Sequence, residues 1–259
     1  MKNTLMKIFA AAAYLAMVAV NFLANSLPIN NRSTGEISDA YPNLFAPAGL
    51  AFSIWGLIYL LLGVFVLYQF TKDSQVRAGF LAKINFFFIV SSLANLAWIF
   101  AWHYDLIGLS VLIMAILLAS LIKIADRLRV ENFTAREKFF LATPFHVYFG
   151  WITVAAIANI TVFLVGSGWN GFGLPDFVWT SIILLVGALI GILRMRKDRN
   201  IAYGLVLVWA YLGILLKHFS ASGFDRQYPS VMATVAICLA LFGFYIGRIV
   251  IKNQSIQSI

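Results

Sequence analysis

Residues 46–71 read APAGLAFSIWGLIYLLLGVFVLYQFT and contain no charged side chain. A helix rises about 1.5 Å per residue, so roughly 20 apolar residues are enough to cross a hydrocarbon core of about 30 Å. Similar apolar stretches recur along the chain and place candidate spans at 6–26, 46–71, 81–103, 106–126, 139–166, 176–195, 200–219 and 229–251. A transmembrane β-barrel would instead show short segments of alternating polarity. The sequence therefore predicts an all-α fold, a polytopic membrane bundle with eight transmembrane helices.

Composition and charge distribution both fit this class of protein. Apolar residues make up 62% of the chain and charged residues 11%, unlike an ordinary soluble domain. If the amino terminus is cytoplasmic, 16 of the 19 Lys and Arg residues fall in inner segments, and the outer segments hold Arg32, Lys217 and Arg226. This positive-inside bias predicts that both termini are cytoplasmic. A nucleic-acid-binding surface would gather its charges on one face or in a tail, so we expect the lipid bilayer and not nucleic acid as a partner.

The ends and connections of the spans carry further signals. Lys2 and Lys7 precede an apolar run, as in a signal peptide, but Asn25-Ser26-Leu27-Pro28 is a poor cleavage site, which favours a retained first helix. Segment 27–45 is polar and should form an irregular outer loop. The only cysteine, Cys238, lies inside the last apolar run, so an internal disulfide is excluded.

The fifth predicted helix has two local signals of its own. Thr134 followed by Glu137 matches the capping box that opens a helix. Pro144 lies inside the helix, where a missing N–H and a bulky ring should produce a kink.

No motif for hydrolytic or phosphate chemistry is present, so we predict no catalytic residue and no metal site. His103, His146 and His218 are far apart and have no carboxylate at helical spacing. Of the ionisable groups, His146 alone is expected deep within a span. This scarcity counts against an ion-coupled transporter, which normally needs more intramembrane charges.

Amide and aromatic side chains give the strongest functional signal. Asn21, Asn95 and Asn159 occur in the first, third and fifth helices, which run in the same direction, and each lies roughly five to eight residues from the outer end. Aromatic residues fall at or just below the same depth, which predicts a cavity in the outer half of the membrane for a flat, mostly apolar ligand. The candidate ligand-binding residues are Asn21, Trp55, Tyr59, Asn95, Trp98, Tyr148, Trp151 and Asn159. The alternative is that the amides join helices while the aromatic rings fill space.

Three motifs resemble the TspO/MBR family, the tryptophan-rich sensory or translocator proteins. Residues 47–63, PAGLAFSIWGLIYLLLG, are similar to its second-helix signature, and residues 93–100, LANLAWIF, to its third-helix pattern. Pro144, Trp151 and Asn159 resemble the pattern of its fifth helix. The first loop departs from the family because segment 27–47 contains no tryptophan. The resemblance covers about residues 1–166, so we expect an extended member with a five-helix core at 1–166 and a three-helix extension at 167–259.

The resemblance implies binding of a tetrapyrrole such as protoporphyrin, in a pocket capped by the first loop, and assembly into a homodimer. It leaves the role open between a sensor or regulator, a transporter of such ligands, and a membrane enzyme that modifies them. No cofactor is predicted beyond a porphyrin or haem as ligand; His146 is an alternative ligand for haem iron. The expected location is a bacterial plasma membrane.

Overall fold

The structure is a computed structural model that describes residues 2–27 and 29–257. Met1, Pro28 of the unfavourable cleavage sequence, and residues 258–259 lie outside the described residues. The α-helices of the described chain are α1 (Lys2–Ser26), α2 (Thr34–Asp39), α3 (Ile54–Tyr68), α4 (Ala78–His103), α5 (Ile107–Arg129), α6 (Ala135–Glu137), α7 (Thr143–Gly166), α8 (Asp176–Asp198), α9 (Ile201–Phe219) and α10 (Pro229–Gln257). Short 3₁₀ turns at Ile29–Asn31, Gly49–Ser53, Asp73–Arg77 and Gly171–Gly173 lie between them.

Eight helical segments of the described chain are long and apolar enough to cross a membrane, which confirms the predicted fold class. These spans are Thr4–Ser26, Gly49–Tyr68, Ala78–His103, Ile107–Arg129, Ala135–Gly166, Asp176–Asp198, Ile201–Phe219 and Pro229–Lys252. The bounds differ from the predicted ones by at most four residues. The protein is therefore an integral, multi-pass membrane protein embedded in the lipid bilayer.

The fifth span begins at the predicted capping box. The Thr134 hydroxyl accepts a hydrogen bond from the Glu137 N–H, and the Glu137 carboxylate accepts one from the Thr134 N–H. A π-helical turn at Lys138–Ala142 follows, directly before Pro144 in the first turn of α7. After the wider turn, Pro144 stands in the first turn of α7, where its missing N–H costs little, and the kink predicted at this residue stays a prediction.

The first five long helices close into a ring. Around the ring, α1 packs against α4, α4 against α5, α5 against α7, α7 against α3, and α3 against α1. The last three helices lie outside it: α9 packs against α7, and α10 packs against both α8 and α9.

The outer loop between α1 and α3 is more ordered than predicted. It contains the helix α2, which opens with a second capping box between Ser33 and Glu36. The hydrogen bond that the Glu36 carboxylate accepts from the Ser33 N–H, 2.6 Å long, lowers the pKa of Glu36. Because two polar side chains satisfy the free N–H groups of the first turn, a six-residue helix can form where composition alone indicated an irregular loop.

Candidate functional site

A cavity of about 400 Å³ lies under α2, among α1, α3 and α4. Its lining is Asn21, Asn25, Ser33, Thr34, Gly35, Gly49, Phe52, Trp55, Tyr59, Trp98 and Ile99. A smaller void of about 40 Å³ adjoins it and extends to α7, where Trp151 and Asn159 line it. Thr34, Phe52, Trp55 and Trp98 line both voids, so the two form one candidate site with a wide and a narrow part.

Six aromatic side chains line this site: Phe52, Trp55, Tyr59, Trp98, Trp102 and Trp151. Phe52 precedes Trp55 by three residues, and Tyr59 follows Trp55 by four. The three side chains therefore share one face where the 3₁₀ turn Gly49–Ser53 leads into α3. The rings of Trp55 and Tyr59 stack with centroids 5.4 Å apart, and Trp55 meets Trp151 edge to face at 6.3 Å. Offset and edge-to-face contacts of this kind hold rings in fixed orientations. The result is a largely apolar chamber with flat walls.

Asn21 and Asn95, predicted to share one depth, are in direct contact. The Asn21 Nδ2 donates to Asn95 Oδ1 at 2.7 Å, and the Asn95 Nδ2 donates to the Tyr148 hydroxyl at 3.0 Å. This chain of bonds joins α1, α4 and α7. Asn95 and Tyr148 are completely buried, and neither lines the larger cavity or the smaller void. Their polar groups therefore connect helices, which agrees with the alternative that the amides join helices and do not contact a ligand.

A second polar chain joins α4, α7 and α5. The Trp98 Nε1 donates to Asn159 Oδ1 at 2.9 Å, and the Asn159 Nδ2 donates to the Ser110 hydroxyl at 2.8 Å. Trp98 and Asn159 also line the site, so their exposed faces meet the void while their polar atoms are already bonded. An unpaired amide in hydrocarbon is costly, which explains why these groups find partners within the bundle.

Two buried polar atoms at the site have no hydrogen-bond partner among the described residues: the Tyr59 hydroxyl and the Trp151 Nε1. Tyr59 lines the larger cavity and Trp151 the smaller void. A buried donor without a partner costs about 1–3 kcal/mol. The site thus has two unpartnered donors on side chains of its wall.

The loop above the cavity is fastened to the outer end of α4. The His103 ring contacts the Ile29 carbonyl at 3.0 Å through Nδ1 and the Thr34 hydroxyl at 3.1 Å through Nε2. The Trp102 Nε1 donates to the Thr34 carbonyl at 3.1 Å. These bonds hold α2, with its cavity-lining residues, directly over the site.

Asp105 fastens the same loop from beyond the end of α4. It forms an ion pair with Arg32 and accepts a hydrogen bond from the Tyr41 hydroxyl at 3.2 Å. Burial of the Tyr41 hydroxyl and the adjacent carboxylate raise the pKa of Tyr41. Both contacts lie outside the spans, at the edge of the loop.

The lining residues that sequence reasoning missed include Phe52, Trp102 and Thr34. Helical spacing contained the signal for the first two, since Phe52 precedes Trp55 by three residues and Trp102 follows Trp98 by four. The rings of Trp98 and Trp102 stack with centroids 5.2 Å apart. Thr34 had no such signal, because its position depends on how the loop folds back over α4.

His146 has no carboxylate at helical spacing within its own helix, but a carboxylate from another helix comes close to it. Its Nε2 lies 3.9 Å from Asp198 Oδ2, and Arg194 Nε donates to the same carboxylate oxygen at 2.6 Å. The pairing depends on α8 packing beside α7, so helical spacing within one segment could not indicate it. His146 lines neither part of the candidate site. Among the residues that the structure describes, no group of three or more His, Cys, Asp or Glu side chains is placed to hold a metal ion.

The chain matches a family model described as TSPO-like protein over residues 7–248. The match continues beyond residue 166 and takes in most of the last three helices. Among curated proteins, and likewise among solved structures, no match was found. Because the family model spans nearly the whole length of the helical bundle, the chain belongs to the TSPO-like protein family.

Proposed function

We propose that this TSPO-like membrane protein binds a flat, mostly apolar ligand of the tetrapyrrole class under α2 and acts as a sensor or regulator. The observation that carries the proposal is an aromatic-walled cavity of about 400 Å³ beside two buried donors without partners. Ligand pockets typically measure about 300–1,000 Å³, are mostly apolar, and have a few polar groups that orient the ligand.

The candidate residues divide into two groups in this proposal. The ligand stacks on Trp55 and Trp98, while the Tyr59 hydroxyl and Trp151 Nε1 donate hydrogen bonds to its polar edge. Asn21 contributes its amide oxygen, which accepts no hydrogen bond from the described residues. The remaining candidates, Asn95, Tyr148 and Asn159, hold the walls in place through the bonds between helices.

We assign the ligand to the five-helix core at 1–166, and the role of support to the extension at 167–259. In the described part of the chain, no residue after 166 lines either part of the site. A ligand seated there would touch Ser33, Thr34 and Gly35, so occupancy would bear directly on the outer loop. Such a contact gives a sensor a route from ligand to surface.

The test is to fill the cavity without disturbing the fold. Gly35 lines the cavity, and a Cβ added there meets no atom within 4 Å. Gly35→Leu should therefore fold normally but weaken the binding of protoporphyrin IX at least about tenfold, or ~1.4 kcal/mol. Affinity is measured by saturable quenching of tryptophan fluorescence in detergent.

Gly79→Leu is the matched control, since Gly79 lies at the start of α4, away from the cavity, with the same open space around its Cβ. It should leave the affinity unchanged. Equal affinities for the wild-type protein and Gly35→Leu would place the porphyrin elsewhere and remove the proposal.

A buried charge cluster favours transport as a second candidate function. Asp198 and Arg194 form an ion pair beside His146, and their side chains are 1% and 10% exposed. The cluster lies where α8 ends at the membrane face, and buried ionisable groups in a membrane protein often mark the course of a transport pathway. The discriminating measurement is porphyrin movement across proteoliposome membranes. Directional flux that requires the protein would establish a transporter, and binding without flux would favour a sensor.

A further inference from the structure

A groove with four basic side chains lies where α8 and α10 reach the membrane face that both chain ends share. It encloses about 660 Å³. Arg196 and Arg199 line it from the end of α8, Arg248 and Lys252 line it from α10, and Tyr245 and Ile249 of α10 are also part of the lining. Within residues 2–27 and 29–257, none of the four basic groups is within ion-pair distance of a carboxylate.

The local backbone explains why these side chains converge. Arg199 adopts a left-handed conformation with φ of 49°, which ends α8 abruptly, and Asn200 caps α9 by accepting a hydrogen bond from the Tyr203 N–H at 3.1 Å. On α10, Arg248 and Lys252 are four residues apart and share one face. The groove is therefore part of the packed helices and not of a loose terminus.

The basic residues at the end of α8 form two sets, which differ in whether a carboxylate of the protein pairs with them. Arg194 and Lys197 both pair with Asp126 of α5, at 3.0 and 2.8 Å. Arg196 and Arg199 point into the groove, where no described carboxylate offsets their charge. One side of the helix end is thus neutralised by the protein, while the other keeps a positive potential that attracts an anion.

Apolar side chains continue from the groove towards the middle of the membrane. Leu193, one turn deeper than Arg196 on α8, is 54% exposed, and Phe244, one turn deeper than Arg248 on α10, is 59% exposed. The Arg248 guanidinium lies 5.9 Å from the centre of the Phe244 ring. Cations at the membrane face with exposed apolar side chains beneath them match the two parts of a phospholipid.

We propose that this groove binds an anionic phospholipid. The headgroup phosphate contacts the arginines and Lys252, and an acyl chain lies along Leu193 and Phe244. Basic pockets between transmembrane helices are a known chemistry for anionic headgroups. The groove lies at the opposite end of the spans from the cavity under α2, so the inference does not depend on the proposed function.

The test uses the full-length protein in nanodiscs of phosphatidylcholine with and without phosphatidylglycerol. Native mass spectrometry measures the affinity for each lipid. The wild-type protein should retain phosphatidylglycerol in preference to phosphatidylcholine. Arg196→Gln with Arg248→Gln should weaken phosphatidylglycerol binding about tenfold or more, whereas Arg196→Lys with Arg248→Lys should largely keep it.

Lys123→Gln with Arg129→Gln is the matched control. Both residues are exposed on α5, at the same membrane face, and lie outside the groove. The control should change the affinity less than about twofold, because it removes equal charge from a surface without a pocket. If the control lost as much affinity as Arg196→Gln with Arg248→Gln, the effect would be one of general surface charge, and the proposal would be overturned.

Two further measurements keep the result interpretable. Melting temperatures in phosphatidylcholine alone should match for all variants, since none of the replaced groups forms an ion pair among the described residues. Inorganic phosphate should fail to displace phosphatidylglycerol, because a free anion lacks the acyl-chain contacts. Displacement by inorganic phosphate would identify a site for a soluble anion and refute the lipid assignment.

Discussion

At the scale of single residues, the hydroxyl groups of Tyr59 and Tyr148 are both buried near the site but differ in their hydrogen bonding. The Tyr59 hydroxyl has no hydrogen-bond partner among the described residues, while the Tyr148 hydroxyl accepts a bond from Asn95. Removing an unpartnered buried hydroxyl relieves a desolvation cost, whereas removing a bonded one strands its partner. The two tyrosines therefore separate ligand binding from stability.

Tyr59→Phe should lower affinity for protoporphyrin IX without lowering stability. If the ligand accepts a hydrogen bond from Tyr59, the loss is about 0.5–1.5 kcal/mol, or roughly threefold to tenfold in affinity. The melting temperature of the free protein should stay the same or rise. Tyr104→Phe, at an exposed position outside the cavity, is the control. An unchanged affinity for Tyr59→Phe would mean that this hydroxyl does not contact the ligand.

Tyr148→Phe should lower stability without lowering the affinity for protoporphyrin IX. It leaves the Asn95 Nδ2 buried without its acceptor, and hydrogen bonds between membrane helices contribute about 0.5–2 kcal/mol. We expect a lower melting temperature and a porphyrin affinity within about twofold of the wild type, after correction for unfolded protein. A selective loss of affinity at unchanged stability would return Tyr148 to the ligand-contacting group.

For single residues, the sequence predicted the depth of a side chain in the membrane better than the direction in which the side chain faces. Apolar length fixes where a span lies in the membrane, so Asn21 and Asn95 could be placed in one layer, and they are indeed bonded. Whether a side chain faces a void or a neighbouring helix depends on helix rotation by a fraction of a turn. No spacing rule resolves that, which is why Asn95 and Trp98 could not be told apart.

At the scale of helices, glycine spacing alone did not predict close packing. Gly187 and Gly191 face neighbours, since a Cβ at Gly187 would lie 2.8 Å from the Tyr211 hydroxyl. Gly243 and Gly247 have the same spacing, yet a Cβ at either meets no atom within 4 Å. A bulky residue at Gly243 therefore meets no neighbour among the described residues of the same chain. Spacing gives the face of a helix but not what lies opposite it.

The contact between α7 and α9 joins the last three helices to the ring of five. A Cβ on Gly150 would lie 2.9 Å from Val206 Cβ and 3.0 Å from the Tyr203 carbonyl oxygen, so the two helices approach closely. At the other end of α9, the Ala48 N–H donates to the Gly213 carbonyl at 2.9 Å. Two places along α9 thus contact the ring of five helices and the turn that leads into α3.

Gly150→Leu should separate these helices. Overpacking of this kind costs about 1–3 kcal/mol, so the melting temperature in detergent should fall clearly. Gly243→Leu is the matched control and should leave the monomer as stable as the wild type, since its Cβ lies in open space. Equal melting temperatures for the two variants would contradict the tight α7–α9 contact. A change of oligomeric state in Gly243→Leu alone would assign that face to a second subunit.

At the scale of the whole molecule, ion pairing reinforces the charge asymmetry read from the sequence. The outer cations Arg32 and Lys217 pair with Asp105 and Asp39. At the opposite face, several basic residues have no carboxylate partner among the described residues. The four that line the proposed lipid groove, Arg196, Arg199, Arg248 and Lys252, are examples. Free positive charge is therefore concentrated at the face that holds both chain ends. The positive-inside rule predicts that this face is cytoplasmic.

Accessibility of single cysteines tests this orientation directly. Cys238 is fully buried, and Cys238→Ala provides a background without native thiols. New cysteines at Asn170 and Ser222 should react with a membrane-impermeant maleimide on intact cells, because these positions are exposed and are predicted to lie at the outer face. Cysteines at Asp73 and Asn132 should react only after the membrane is permeabilised. Reaction of either inner position on intact cells, with protection of an outer one, would invert the topology. It would also place the lipid groove in the opposite leaflet.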